Sequence, residues 1–382
     1  MKLEITQNPF MKFWSMAERV TGTKSTMATL ASILCVADEK GVTLNSTDLK
    51  TTIRVKADGV TVLEPGTAIL PLKVVGELFK KIPASPFTVE VKDEKGTIKA
   101  GRSRYSFTTY LVSDFPDLPS PRAAEEFTKI SAGELARVLE EGSIAGAPNE
   151  DFPKYLCGGL LQINDGELRV VATDGRRLSL SKTVVQGGGT QRDVLLPLTS
   201  LAEYQKILLS FPPEQEVEVL QDGAVTYFNM PGVEYSVRRI DSSFPNYERI
   251  LGSTSTTQMQ VGRQEFLLAL DRINVVVRDS SRVVMLTLSP GAEMGLSGRA
   301  PEIGEANEDV DASVNGEPLK VAFNVGYLID GLKAFRGNEV TLSFNGPEGQ
   351  MTITKPGGTD FTYMLMPIKI KSVEPAASGS EE

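Results

Sequence analysis

Two aspartates invite a chemical reading first. Asp48 follows Thr47, Asp174 follows Thr173, and the two carboxylates lie 126 residues apart. As symmetry-related members of duplicated units, they could share general acid and base work in a hydrolase. Little else supports such a reaction. The chain has no histidine, which removes Ser-His-Asp and Cys-His relays, imidazole metal sites and the side chain that most easily moves protons near neutral pH. Cys35 and Cys157 stand in separate apolar runs, without a disulfide framework or metal-ligand spacing; both read as buried, reduced and inert. No Gly-x-x-x-x-Gly-Lys loop offers a cradle for phosphate, and the potential metal ligands form no cluster. Gly175 directly follows Asp174, which favours a turn-forming aspartate over a catalytic one.

The elements that carry these residues repeat. Thr47-Asp48 opens a stretch that reaches Leu70-Pro71, and Thr173-Asp174 opens one that reaches Leu196-Pro197, again 126 residues on. Each Leu-Pro precedes an apolar helical pattern: Leu72, Val75, Leu78, Phe79 and Ile82, then Leu198, Leu201, Tyr204 and Leu208. Another step of 126 lands at Phe323, followed by Leu328, Leu332 and Phe335, a third and more diverged copy in which Arg299-Ala300 stands near the aspartate's place. Each copy opens with a helix signal: Asn8 as N-cap with Pro9 at the first helical position, Ser131 with Glu134 as a capping box, and Gly262 followed by Glu265. Each closes with a strand and a turn, at 105–117, 235–246 and 361–367, and the intervening sequence alternates with period two. The pattern predicts an α+β fold of three tandem similar domains, each with two helices on one face of an antiparallel sheet. The domains are expected at 1–121, 127–252 and 257–371, with linkers near 118–122 and 252–256 and a disordered acidic tail at 372–382.

Composition sets the surroundings. With 382 residues, 41% hydrophobic and 23% charged, the chain reads as several globular domains. It lacks an apolar leader or a run long enough to cross a bilayer, so a cytoplasmic protein without membrane association is expected. The net charge of −9 repels polyanions, so any contact with nucleic acid must come from a local surface.

Four motifs now stand in order on the threefold repeat: Gly-Arg-Ser-Arg-Tyr-Ser at 101–106, Ala-Thr-Asp-Gly-Arg-Arg-Leu at 172–178, Phe-Pro-Asn-Tyr-Glu-Arg-Ile-Leu at 244–251 and Tyr-Met-Leu-Met-Pro-Ile-Lys-Ile at 363–370. With them the chain resembles the bacterial DNA polymerase III beta subunit family, the replicative sliding clamps, from residue 1 to about 370. Arg176 departs from the family, which commonly has His there, and so does the tail after Ile370.

The resemblance implies the DNA clamp fold, with two copies closing head to tail into a ring of six domains whose helices line the hole. It implies a non-catalytic processivity subunit of the DNA polymerase III holoenzyme, without a cofactor, that encircles double-stranded DNA regardless of sequence. Implied partners are the polymerase III alpha subunit, the clamp loader complex, and other polymerases and repair proteins that carry clamp-binding peptides. Those peptides would enter a hydrophobic pocket between the second and third domains. Its positions here are Leu156, Thr173, Gly175, Arg177, Leu178, Pro245, Arg249, Ile250, Asn324, Tyr327, Met364, Leu365, Met366, Pro367 and Ile368. DNA contact is implied for the loop residue Lys24 and, if the helices face the hole, for Lys12, Lys73, Lys80, Arg137 and Lys206, among Glu18, Glu77, Glu134 and Glu203. The acidic loop at 149–153 aligns with a DNA-proximal one. Tyr105 on one side of the dimer interface and Val275 and Val276 on the other match apolar positions of the family.

Such a design is physically coherent: topology retains the ring on DNA while weak phosphate contacts align it, so a negative net charge is tolerable. The competing functions are the carboxylate hydrolase and a protein-binding scaffold that never meets DNA. Retention on circular but not linear DNA separates them from a clamp.

Overall fold

A computed structural model describes residues 1–22, 25–82, 86–121, 123–147, 153–185, 192–251 and 254–369. Lys24, most of the 149–153 loop and the 372–382 tail lie outside them. The chain forms two compact units, the first comprising Met1–Leu139, Leu161–Leu168 and Val184–Asp241, the second Glu140–Leu160, Arg169–Thr183 and Ser242–Glu382. The second repeat is thus shared between the units.

Strand pairing explains the sharing. In the first unit, eight antiparallel strands run in the spatial order Glu125–Ser131, Glu216–Asp222, Val225–Met230, Val233–Arg238, Thr51–Ala57, Gly41–Thr47, Ser32–Asp38 and Gly66–Pro71. The last strand of the second repeat therefore continues the sheet of the first, with Val237 opposite Thr51. The second unit repeats the device: Phe361–Leu365, the last strand of the third repeat, pairs with Arg177–Val184, placing Leu365 opposite Arg177. From there the sheet continues through Met351–Thr354, Glu339–Phe344, Thr257–Gly262, Gly304–Gly316, Gly291–Ala300, Val283–Leu288 and Leu319–Asn324. A separate five-stranded sheet in the first unit ends at the edge strand Ser103–Thr108.

The helices follow the apolar periodicity. Helix α1 (Gln7–Glu18) buries Phe10, Trp14 and Ala17 at intervals of four and three. It begins one residue before the expected cap: Thr6 is the N-cap, and Asn8 and Pro9 lie inside the first turn. Proline is tolerated there because the first four N–H groups of a helix have no partner within it. A π turn over Leu72–Gly76 leads into α2 (Glu77–Lys81), whose Phe79 ring packs 4.8 Å from Trp14 and 5.3 Å from Phe87.

At α3 (Ala132–Ser143), Ser131 Oγ accepts from the Glu134 N–H at 3.4 Å, which is half of the capping box; the Glu134 carboxylate accepts from Arg137. Helix α4 (Leu198–Leu208) sets Tyr204 between Phe228 and Tyr235, each ring 4.6 Å away. A single turn, α5 (Glu248–Leu251), precedes α6 (Arg263–Val277), which starts from Gly262 as expected, and α7 (Val325–Ala334).

Cys35 is buried, and burial pushes its thiol up to about 12, out of thiolate chemistry. Cys157 departs from expectation in being only half-buried, because it ends a short 3-10 turn at the surface. Among the described residues no helix is long and apolar enough to cross a membrane.

Candidate functional site

The site grows from the second Thr-Asp turn. Thr173 Oγ1 donates to the Arg177 carbonyl at 2.6 Å and accepts from Gly175 N at 3.1 Å, while Asp174 Oδ1 accepts from the N–H groups of Arg176 and Arg177 at 2.9 and 3.1 Å. Gly175 takes φ +86°, a left-handed conformation suited to glycine. The first turn is built alike: Thr47 Oγ1 donates to the Thr51 carbonyl at 2.7 Å, and Asp48 Oδ1 accepts from Lys50 N and Thr51 N at 2.9 and 2.6 Å. Both aspartates thus serve as turn formers. In each, two backbone amides of its own turn occupy Oδ1.

In the first turn, however, Leu49 holds the left-handed position with φ 76°. That conformation costs a residue with a Cβ about 1–2 kcal/mol, and Leu49, 49% exposed, recovers little of it by burial. Leu49→Gly is expected to stabilise the chain by about 0.5–1 kcal/mol once the added entropy of the unfolded state is subtracted. The denaturation midpoint checks this; an unchanged or lower midpoint would mean the leucine makes up its strain elsewhere.

Arg177 ties the second turn to its surroundings. Its Nε donates to Asp174 Oδ2 at 3.0 Å, its Nη1 to Asp330 Oδ2 at 2.9 Å and to the Tyr363 hydroxyl at 3.4 Å, and its guanidinium lies 4.2 Å from the centre of the Tyr327 ring. Tyr363 in turn donates to the Tyr327 carbonyl at 2.9 Å. Burial alone would lower the pKa of Arg177, but Tyr363, Asp330 and Asp174 together hold it above its ordinary value, so the side chain stays cationic. Burial pushes the Tyr363 phenol up, against the pull of Arg177. Gly331 makes room for this tyrosine, since a Cβ there would come within 2.5 Å of its ring.

The apolar wall follows from strand register. Leu178 stands opposite Met364 and Arg177 opposite Leu365, all four buried. Beyond the strand end, Met366 N donates to the Arg176 carbonyl at 2.9 Å and Ile368 N to the Ala322 carbonyl at 2.8 Å, holding Met366, Pro367 and Ile368 between the turn and the strand Leu319–Asn324. Met366 is left 39% exposed. Asn324 caps α7, its Oδ1 accepting from Tyr327 N at 3.1 Å, which orients the Tyr327 ring under Arg177.

Helix α5 is pinned by buried Tyr247, by Glu248 on Arg169 at 2.8 Å and by Gln350 Nε2 on the Ile250 carbonyl at 2.9 Å. Gln350 precedes Met351, which pairs with Leu365, so Ile250, 40% exposed, is anchored beside the same strand. Arg249 and Pro245 are exposed, and Leu156 is buried with its carbonyl accepting from Ala147 N. All the expected pocket positions belong to the second unit. Asp330 and the hydroxyl of Tyr363 were missing from the expected set. Asp330, one turn beyond Tyr327 on an exposed helix face, had only its i, i+3 spacing to signal it.

The helix cations are largely matched by carboxylates. Lys80 lies 2.8 Å from Glu18, Arg137 2.8 Å from Glu134 and Lys206 2.6 Å from Glu203; its hydrogen bond to Glu18 raises the Lys80 pKa. Lys12 stacks 5.3 Å over Phe211, and Lys73 is exposed. Tyr105 lies on the open edge strand, 37% exposed, while on α6 Val275 is 62% exposed and Val276 packs partly against the core.

Models of the N-terminal, central and C-terminal domains of the DNA polymerase III beta subunit match residues 1–119, 129–246 and 248–369. The chain belongs to that family. It is 27% identical to the beta sliding clamps of Synechococcus elongatus and Vibrio cholerae, over 97% of this chain and 100% of each relative. The DNA polymerase sliding clamp of Bacillus subtilis superposes with a TM-score of 0.90 at 25% identity, and a Pseudomonas aeruginosa clamp bound to griselimycin with 0.90 at 26%, each covering 97% of this chain and 100% of the other. The fold is three tandem clamp domains, and the chain is a sliding clamp, a non-catalytic subunit rather than a hydrolase.

Proposed function

We propose that two copies of this chain close head to tail into a ring around duplex DNA, and that each copy captures partner proteins by a short apolar peptide at the second Thr-Asp turn. Domains at 1–121, 127–252 and 257–371 give the ring its six parts. The open edge strand carrying Tyr105 meets α6 of the second copy at Val275 and Val276, a heterologous contact that closes when made twice. Lys12, Lys73 and the loop residue Lys24 supply phosphate contacts; Lys80, Arg137 and Lys206, already paired with glutamates, contribute weakly, which suits a ring that must slide. The polymerase III alpha subunit, the clamp loader, and other polymerases and repair proteins with clamp-binding peptides are the partners this design serves, in the cytoplasm.

The observation that carries the peptide reading is the arginine-pinned turn, which presents exposed Met366 and Ile250 beside a buried Leu178–Met364 wall. Such a patch takes a few apolar anchors, and methionine adapts to different ones. Met366→Ala, at an exposed position, is expected to raise the Kd of a labelled peptide with Leu and Phe anchors about 10-fold or more while the dimer stays intact. Leu178→Ala in addition should weaken it further. Unchanged affinity by titration would remove the pocket from this surface.

A further inference from the structure

The peptide site carries positive charge that its own fold does not use. Arg176 and Arg249 are both exposed, and neither side chain makes a hydrogen bond or ion pair among the described residues. The carboxylates around them are engaged. Asp174 and Asp330 hold Arg177, Glu248 lies 2.8 Å from Arg169, and Glu348 lies 3.0 Å from Lys369. The Arg176 carbonyl accepts from Met366 N, and Arg249 immediately precedes Ile250. Each unpaired cation thus stands next to an exposed apolar side chain, in a chain whose net charge is −9.

The chain leaves the site at the same place. Met366, Pro367 and Ile368 belong to it, and Lys369 is the last described residue. The sequence goes on at 370–382 as Ile-Lys-Ser-Val-Glu-Pro-Ala-Ala-Ser-Gly-Ser-Glu-Glu, with Glu374, Glu381 and Glu382 and no cation after Lys371. Its length permits a return. An extended residue spans about 3.3 Å, so Met366 to Lys369 covers about 10 Å at most and Lys369 to Glu374 about 17 Å. Glu374 therefore reaches Arg176, and Glu381 and Glu382 reach farther. Apart from Val373, the apolar residues of this segment are prolines and alanines, which suits a weak occupant.

We propose that residues 372–382 fold back over the peptide site of their own chain, with glutamates on Arg176 and Arg249 and Val373 against Met366, and so compete with partner peptides, an inference that rests on the second Thr-Asp turn being that site. Arg176 and this tail are the two places where the sequence departs from its family, and here an added cation meets added carboxylates. A tethered occupant need not bind tightly. Held by a short linker it acts at an effective concentration of about 1 mM, so a Kd of about 0.3 mM in trans weakens a competing peptide roughly 4-fold. Such a guard favours partners with large apolar anchors over those with poor ones.

Fluorescence anisotropy tests this on the full chain and on a chain ending at Lys371, with a labelled neutral peptide that carries Leu and Phe anchors. Removing 372–382 should tighten binding about 3-fold or more at about 50 mM salt, and the gain should shrink below about 1.5-fold at about 1 M salt, which screens exposed ion pairs. Arg176→Met, at an exposed position, should tighten binding about 2-fold or more in the full chain and leave the shortened chain unchanged. No gain on shortening, or an Arg176→Met effect of equal size in both chains, would overturn the inference. A labelled 372–382 peptide supplies a probe independent of the apolar one: it should bind the shortened chain saturably and about 3-fold or more weakly once Arg176→Met and Arg249→Met are introduced. If the apolar peptide binds neither chain, the pocket reading fails, and the tail peptide alone decides the contact: saturable binding weakened by the two substitutions upholds it, and its absence overturns it.

Discussion

Arg177→Met should cost the chain about 3 kcal/mol of stability and abolish measurable binding of an apolar partner peptide. Breaking a buried ion pair by removing one partner typically costs about 3–5 kcal/mol, because the remaining charge keeps its desolvation penalty. Here the stranded charge is Asp174, whose side chain is only 7% exposed. The lower end of the range applies because Asp174 Oδ1 still accepts from two backbone amides. Asp330, 50% exposed in its side chain, is hydrated when released and adds little. Tyr327 would lose the cation over its ring and Tyr363 a donor, so the surface beside Met366 would loosen along with the turn. A second variant separates charge from packing: Asp174→Asn in the Arg177→Met background keeps an acceptor for the amides, removes the buried charge and should restore a good part of the stability. Urea denaturation measures both. A loss below about 1 kcal/mol in the single variant, or no recovery in the double, would mean the arginine is not what holds the turn.

The second large effect concerns ring closure. Tyr105→Asp combined with Val275→Asp should convert the dimer to a monomer, raising its dissociation constant at least 100-fold. Both positions are exposed on well-formed elements, an edge strand and the last turn of α6, so the isolated chain should keep its fold. In a two-fold head-to-tail ring each substitution acts at two interfaces, and a carboxylate placed in an apolar contact must be desolvated without a partner. Sedimentation velocity at micromolar concentration reads the result. A dimer that persists with unchanged affinity would place the contact elsewhere.

Much of this was legible in the sequence because the chemistry is local. The Thr-Asp turns are visible in the 126-residue repeat, and the same four backbone-capping contacts form in each. The helices follow from their apolar spacing, and Gly262 marks the start of α6. What stayed hidden depends on pairing between distant strands. Arg177 reaches Asp330 and Tyr363 across 153 and 186 residues, Tyr363 through the register of two strands and Asp330 from helix α7, neither signalled by any spacing near the arginine. Alternation reveals which face of a strand is buried but not which strand lies beside it, so the continuation of one repeat's sheet by the last strand of the next could not be read. The pairing of Lys80 with Glu18, 62 residues earlier, was out of reach for the same reason. The start of α1 was misplaced by a rule that is only a preference: proline suits the first helical position, yet any place in the first turn costs it no hydrogen bond.

Encirclement of DNA is tested most directly by loading the protein with a clamp loader onto nicked circular DNA, cutting the circle at moderate salt and following release through a sizing column. Release on linearisation, with retention on the uncut circle, is the expected result, because weak phosphate contacts cannot hold a net-negative ring that is free to slide off an end. Equal retention on cut and uncut DNA would contradict it and show binding by surface contact, without a ring around the duplex.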